Sequence, residues 1–284
     1  MIGGDPGMST DRLRPLWDFS DLDSSERRLR AALAAEVDDI GRAEVLTQLG
    51  RIEGLRGRFD EAHALIAEAE PVGEESDVVL ARVLLERGRL LRLDGDLAAA
   101  LPLFEEAFEV ALRARHDFIA ADAAHMAALA GDMIGWTRRG LELSQRSSAA
   151  APWIAMLLNN LGWWHLERRE YAEALAAYRS SLEAHERDRT RPYFREVARC
   201  GAAKALRGLG RSDEAVPLLE QAVAWAEGIG RPDRAFHEEL AAVLREIGRN
   251  AEAEEHARRA RLAGPGLFAI FENRPPPPRS ETGT

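Results

Sequence analysis

Apolar and polar positions along this chain follow the 3.6-residue period of amphipathic helices, and the helical runs come in pairs separated by a turn. Each pair shares one pattern: a small residue, then further positions at offsets of +7, +12, +16 and +19. Gly50 leads to Gly57, Ala62, Ile66 and Ala69, and Gly88 to Gly95, Ala100, Phe104 and Ala107. Gly162 leads to Arg169, Ala174, Tyr178 and Ser181; Ala203 to Gly210, Ala215, Leu219 and Ala222; Ala241 to Gly248, Ala253, Ala257 and Ala260. The pattern predicts helical hairpins over 40–70, 76–115, 151–188, 191–229 and 232–263. A degenerate one lies around Phe118, His125, Met126, Met133, Trp136 and Gly140, its turn marked by Gly131-Asp132. A further helix, capped by Ser24 or Ser25 and running to about Val37, is expected ahead of them, with Leu29, Ala32 and Leu33 on one face.

Each recurrent residue type has a mechanical reason. The first small residue marks where the second helix of a hairpin crosses closely, so a larger side chain would hold the backbones apart. Seven positions on, glycine accepts the left-handed conformation that ends a helix. Arg169 departs from this, because Arg168-Arg169-Glu170 offers neither glycine nor asparagine. The later alanines let the second helix nest between its neighbours, with Phe104, Tyr178 and Leu219 filling the space between. This signature resembles the tetratricopeptide repeat. Equivalent small residues lie 38 apart from Gly50 to Gly88, 41 from Gly162 to Ala203 and 38 from Ala203 to Ala241, against about 34 for the standard unit. The chain therefore resembles the extended-repeat variety of bacterial peptide sensors and kinesin light chains. The resemblance implies an all-α, right-handed superhelix of about six hairpins.

Stacked repeats share one continuous core, so 284 residues imply one repeat domain, placed at 24–263. Residues 1–23 are read as an amino-terminal cap in which Leu16, Trp17 and Phe19 pack over the first helices. Leu267 to Phe271 make 264–273 a carboxy-terminal cap, and the run Pro275 to Pro278 makes 274–284 a disordered tail. Of 38 basic residues only Lys204 is lysine, which points to a GC-rich bacterial genome. One cysteine, Cys200, excludes an internal disulfide. No signal sequence and no 18-residue apolar run is present, so a cytoplasmic protein is expected. A net charge of -10 weighs against nucleic acid.

Enzyme signatures are missing. His237-Glu238-Glu239-Leu240 lacks the second histidine of a zinc motif, Gly228-Ile229-Gly230 follows no strand, and no GxSxG or Walker loop occurs. Neither catalysis, nor metal, nor cofactor is expected. The informative surface is the inner one, because the family resemblance implies that the first helices line a groove and hold the ligand. Counting -3, -2, +1 and +4 from each small residue selects Thr47, Gln48 and Arg51; Leu85, Glu86, Arg89 and Arg92; Asn159, Asn160, Trp163 and Leu166; Cys200, Lys204 and Arg207; Glu238, Glu239 and Arg245. The degenerate unit adds Asp122 and His125. Arg51, Arg89, Arg92, Lys204, Arg207 and Arg245 make this stripe more basic than the whole chain. Asn159 and Asn160 stand where such proteins often hydrogen-bond a ligand backbone, with Trp163 as a flat platform; equally open is that Asn160 joins neighbouring helices and Trp163 packs against the next hairpin. Thr47 and Gln48 break the pattern of the carboxylate clamp. The expected function is an adaptor, monomeric, binding a protein or acidic peptide without nucleic acid or membrane; the alternative is a self-associating scaffold.

Overall fold

The computed structural model describes residues 11–19, 21–187 and 192–263, and among them thirteen α-helices and no strand. A leading helix, α1 (Leu22–Ala35), precedes six hairpins. These are α2 (Asp39–Leu55) with α3 (Phe59–Gly73), α4 (Asp77–Leu93) with α5 (Leu97–Arg113), and α6 (Asp117–Ala130) with α7 (Met133–Arg146). After a single 3-10 turn, Ala151–Trp153, come α8 (Ile154–Glu167) with α9 (Tyr171–Arg187), α10 (Pro192–Gly208) with α11 (Ser212–Gly228), and α12 (Arg234–Glu246) with α13 (Asn250–Leu262). The carboxy-terminal cap and tail expected at 264–284 lie outside the described residues.

The close crossings fall where the small residues are. A Cβ on Gly88 would lie 2.5 Å from the Phe104 ring, and one on Gly162 would lie 3.0 Å from Tyr178. Ala203 and Ala241 are buried at the equivalent positions. Gly57, Gly95, Gly210 and Gly248 all take positive φ, and Arg169 takes the same left-handed conformation at φ 58°. The carbonyls of the last turn are closed identically in both cases: Arg58 N–H donates to Glu53 C=O, and Glu170 N–H to His165 C=O. In the third, degenerate hairpin α6 and α7 are each 14 residues, against 17 for α4 and α5. Gly131-Asp132 does form its turn, with the Asp132 carboxylate accepting from Gly135 N–H. The leading helix is capped by Asp21 rather than by Ser24 or Ser25. Ser25 is buried and returns its hydroxyl to the Asp18 and Asp21 carbonyls, so it ties the helix to the preceding segment.

Successive first helices (α2, α4, α6, α8, α10, α12) touch one another as well as their own partners, whereas the second helices make their substantial contacts with the flanking first helices. The first helices therefore line the inner side of the array. Their residues are also the more buried: α2 and α4 carry nearly continuous buried stretches, while α3 and α5 expose one side.

Candidate functional site

The inner side of the first three hairpins is a groove floored by polar side chains that the fold has already matched in charge. On α4, Arg89 bonds both Glu86 of its own helix and Asp122 of α6, and Arg51 of α2 faces the same two carboxylates at 3.9 and 3.8 Å. Burial alone would raise the Asp122 pKa, but the charges of Arg89 and then Arg51 outweigh it and hold the carboxyl below the ordinary aspartate range. Arg51 is pushed the other way, its charged form disfavoured first by burial and then by the nearby charge of Arg89. A second cluster lies about two turns earlier along α2 and α4, where Arg82 of α4 bonds Glu44 of α2 at 3.0 Å. Glu44 and Arg82 were not among the residues counted from the sequence. Each sits six positions before the small residue of its helix, so carrying the inward stripe back by one turn reaches both.

The amino-terminal segment, residues 11–19, lies in this groove. Its Asp11 carboxylate accepts from Arg82 at 2.6 Å, and Arg12 bonds Glu44 and Glu36. Leu13 is 1% exposed among Leu29, Val45, Leu49 and Ile52. After the 3-10 turn Arg14–Leu16, the Trp17 indole N–H donates to Gln48 at 3.1 Å. The Trp17 and Phe19 rings stack at 4.9 Å, and the Arg51 guanidinium lies 5.2 and 5.3 Å from their centroids. Phe19 reaches Phe194 of α10 edge-on at 6.4 Å. The expectation that Leu16, Trp17 and Phe19 pack over the first helices thus describes what is found, and the face they cover is the groove itself. A cavity of about 560 Å³ remains between segment and floor, lined by Trp17, Phe19, Arg51, Arg82, Phe118 and Trp153 among others.

The sequence-selected residues fall into distinct places. His125 and Asn160 meet at 2.8 Å, so Asn160 joins α8 to α6. Asn159, one residue earlier and 6% exposed, leaves its Oδ1 without a hydrogen-bond partner. It borders both a cavity of about 90 Å³, shared with Arg92, His125 and Phe194, and one of about 80 Å³, shared with Trp163, Cys200 and Lys204. Arg207 bonds Glu239 and Glu246, and Arg245 is exposed at the far end. Arg51, Arg89, Arg92, His125, Asn159 and Asn160 are therefore brought together, Trp163 and Lys204 line the next cavity along, and Arg207 and Arg245 stand apart. Among the described residues no group of three or more His, Cys, Asp or Glu side chains is arranged to hold a metal ion, and no helix is long and apolar enough to cross a membrane.

Paired helices stacked about a polar inner groove define a helical-repeat interaction module. Tetratricopeptide repeat models match residues 154–187, the fourth hairpin, and 198–228, within the fifth. Those two stretches of the chain are tetratricopeptide repeats. No curated protein matches it. Among solved structures it is similar to Cut9-Hcn1, an APC/C hetero-tetramer (15% identity, TM-score 0.63, 89% of this chain and 46% of that one). It is also similar to BtubC from P. vanneervenii (19%, TM-score 0.61, 81% and 97%). A third is a signal transduction ATPase with numerous domains and a tetratricopeptide repeat sensor from Pyrococcus horikoshii (12%, TM-score 0.60, 85% and 39%). The chain spans less than half the length of the first and third of these. At such identities the likeness is one of fold.

Proposed function

We propose that this protein is a non-enzymatic adaptor whose inner groove binds a segment of another protein, an acidic one, in a bacterial cytoplasm. The observation that carries the reading is Asn159: a buried amide whose oxygen bonds nothing, between two cavities on the inner face. A buried acceptor without a partner costs about 1–3 kcal/mol, and a ligand N–H would supply what the fold omits. An acidic partner is supported by Arg82, which takes the carboxylate of Asp11 in the same groove. The native protein is expected to be monomeric, with self-association as the alternative.

Asn159 and its neighbour provide the test. Partner capture from a lysate of the source bacterium should fall at least ten-fold for Asn159→Ala with no loss of melting temperature, because that oxygen bonds nothing in the protein itself and its removal relieves an unsatisfied acceptor. Asn160→Ala should instead lower stability, since it breaks the contact to His125. Capture unaffected by Asn159→Ala would move the binding surface elsewhere. A tight, concentration-independent oligomer in light scattering would favour the scaffold.

A further inference from the structure

The groove's own contents state what it recognises. Residues 11–19 cross the inner face from α4, where Asp11 meets Arg82, to α10, where Phe19 meets Phe194. They touch α6 on the way, Arg14 lying 5.6 Å from the Phe118 ring. Apart from one 3-10 turn this stretch has no regular structure of its own. It makes side-chain contacts of the kind an external peptide would make: a carboxylate on a buried arginine, an indole N–H on Gln48, and two stacked rings on a guanidinium.

Two features distinguish this arrangement from a permanent core. Trp17 and Phe19, the largest side chains of the segment, keep part of their surface exposed, whereas core aromatics such as Phe104 are fully buried. The cavity of about 560 Å³ that their rings border also leaves room for an occupant larger than the one present. Leu13, by contrast, is fully packed, which anchors the segment beside the groove when its aromatic end lifts.

We infer that the aromatic end of residues 11–19 is an exchangeable internal ligand, and that the partner bound in trans carries the same chemistry: a Trp-x-Phe pair stacked on Arg51. The inference rests on the groove being the binding surface. The tethered segment competes at the high local concentration of any linked ligand, on the order of millimolar, so it sets the threshold a partner must exceed. Arg51 recognises this chemistry, and Arg89 serves by holding Asp122 and Glu86 beside Arg51.

The test uses the full chain and a fluorescein-labelled peptide of its own residues 11–19. The double variant Trp17→Ala/Phe19→Ala, which vacates the aromatic subsite but keeps Leu13, should bind the peptide at least ten-fold more tightly than the parent. A peptide with alanine at both aromatic positions should bind neither protein. In the unaltered chain, excess isotope-labelled peptide should speed hydrogen exchange at the amides of 16–19, read separately from the added peptide by mass. Equal, weak binding to parent and double variant, with exchange unchanged and the helical signal intact, would make the segment a fixed cap and overturn the inference. If that happens while lysate capture still depends on Asn159, only the exchange fails; if Asn159 dependence is also absent, the groove assignment itself is lost.

Discussion

Replacing Asp122 by asparagine keeps the side chain's size and an acceptor oxygen for Arg89, and removes the one charge that both Arg89 and Arg51 face from α6. Asp122 is 4% exposed, so water screens the change poorly. At the 3.8 Å that separates it from Arg51, and with an effective dielectric constant of about 20, that attraction alone amounts to about 4 kcal/mol before desolvation is counted. Removing one member of a buried ion cluster costs about 3–5 kcal/mol net, and Glu86, which still faces both arginines, holds the loss near about 3 kcal/mol. Urea unfolding followed by circular dichroism should show a lower midpoint at unchanged slope. Arg51→Met in the Asp122→Asn background restores charge balance, so the double variant should exceed the sum of the single losses in stability by about 1–3 kcal/mol. Strict additivity would refute the coupling. The pH dependence has a definite sign. The Asp122 pKa is depressed in the folded state, so its contribution is present above the ordinary aspartate value and is lost as pH falls through the depressed one; the gap between parent and Asp122→Asn should close in strong acid.

Further expectations are independent of that cluster. Gly88→Ala, whose added Cβ would lie 2.5 Å from the Phe104 ring, and Ala174→Leu, at a fully buried alanine, should each lower stability by about 1–3 kcal/mol in denaturant titrations. Arg169→Gly should raise stability by about 0.5–1 kcal/mol, because it relieves a left-handed non-glycine residue and gives part of that back to the unfolded chain; a loss would show that the Arg169 side chain matters more than its backbone. His237 and His256 meet at 3.0 Å on α12 and α13, and burial holds both below the ordinary histidine value. The last hairpin should therefore be fully stable above that value and loosen as pH falls below it. Hydrogen exchange of α12 and α13 between pH 7 and 5 should reveal this, and His256→Gln should flatten the response.

What could be read from the sequence was what depends on neighbours within one hairpin. Gly88 and Phe104 are sixteen positions apart, and their contact is forced by a short turn, so the offset pattern contains it. The left-handed turn at Arg169 was legible only as a missing glycine: the backbone keeps the conformation because the carbonyls of the last α8 turn still need closing donors, and arginine accepts the strain. Of the pair Asn159 and Asn160, the sequence left open that Asn160 joins neighbouring helices, and it does. Adjacent helical positions point about 100° apart, so Asn160 meets His125 while Asn159 reaches the second cavity with its oxygen unpartnered. The contact of Asp11 with Arg82 spans 71 residues, and no local spacing encodes it. The count put six basic residues on one stripe, but a count cannot show that Arg207 and Arg245 stand apart, nor that Glu86, Asp122 and Glu239 pair with Arg89 and Arg207.

The amino-terminal segment has a mechanical consequence as well as a chemical one. An array of stacked hairpins is an arc, and residues 11–19 run along its inner side from Arg82 to Phe194 like a string across a bow. A string of fixed length holds the arc at one curvature. When its aromatic end lets go, the hairpins between α4 and α10 are no longer tied across the gap, and the arc relaxes toward whatever pitch its helix-to-helix packing prefers. The curvature of this protein is then a readout of what its groove contains, available to any second partner that touches only the outer helices.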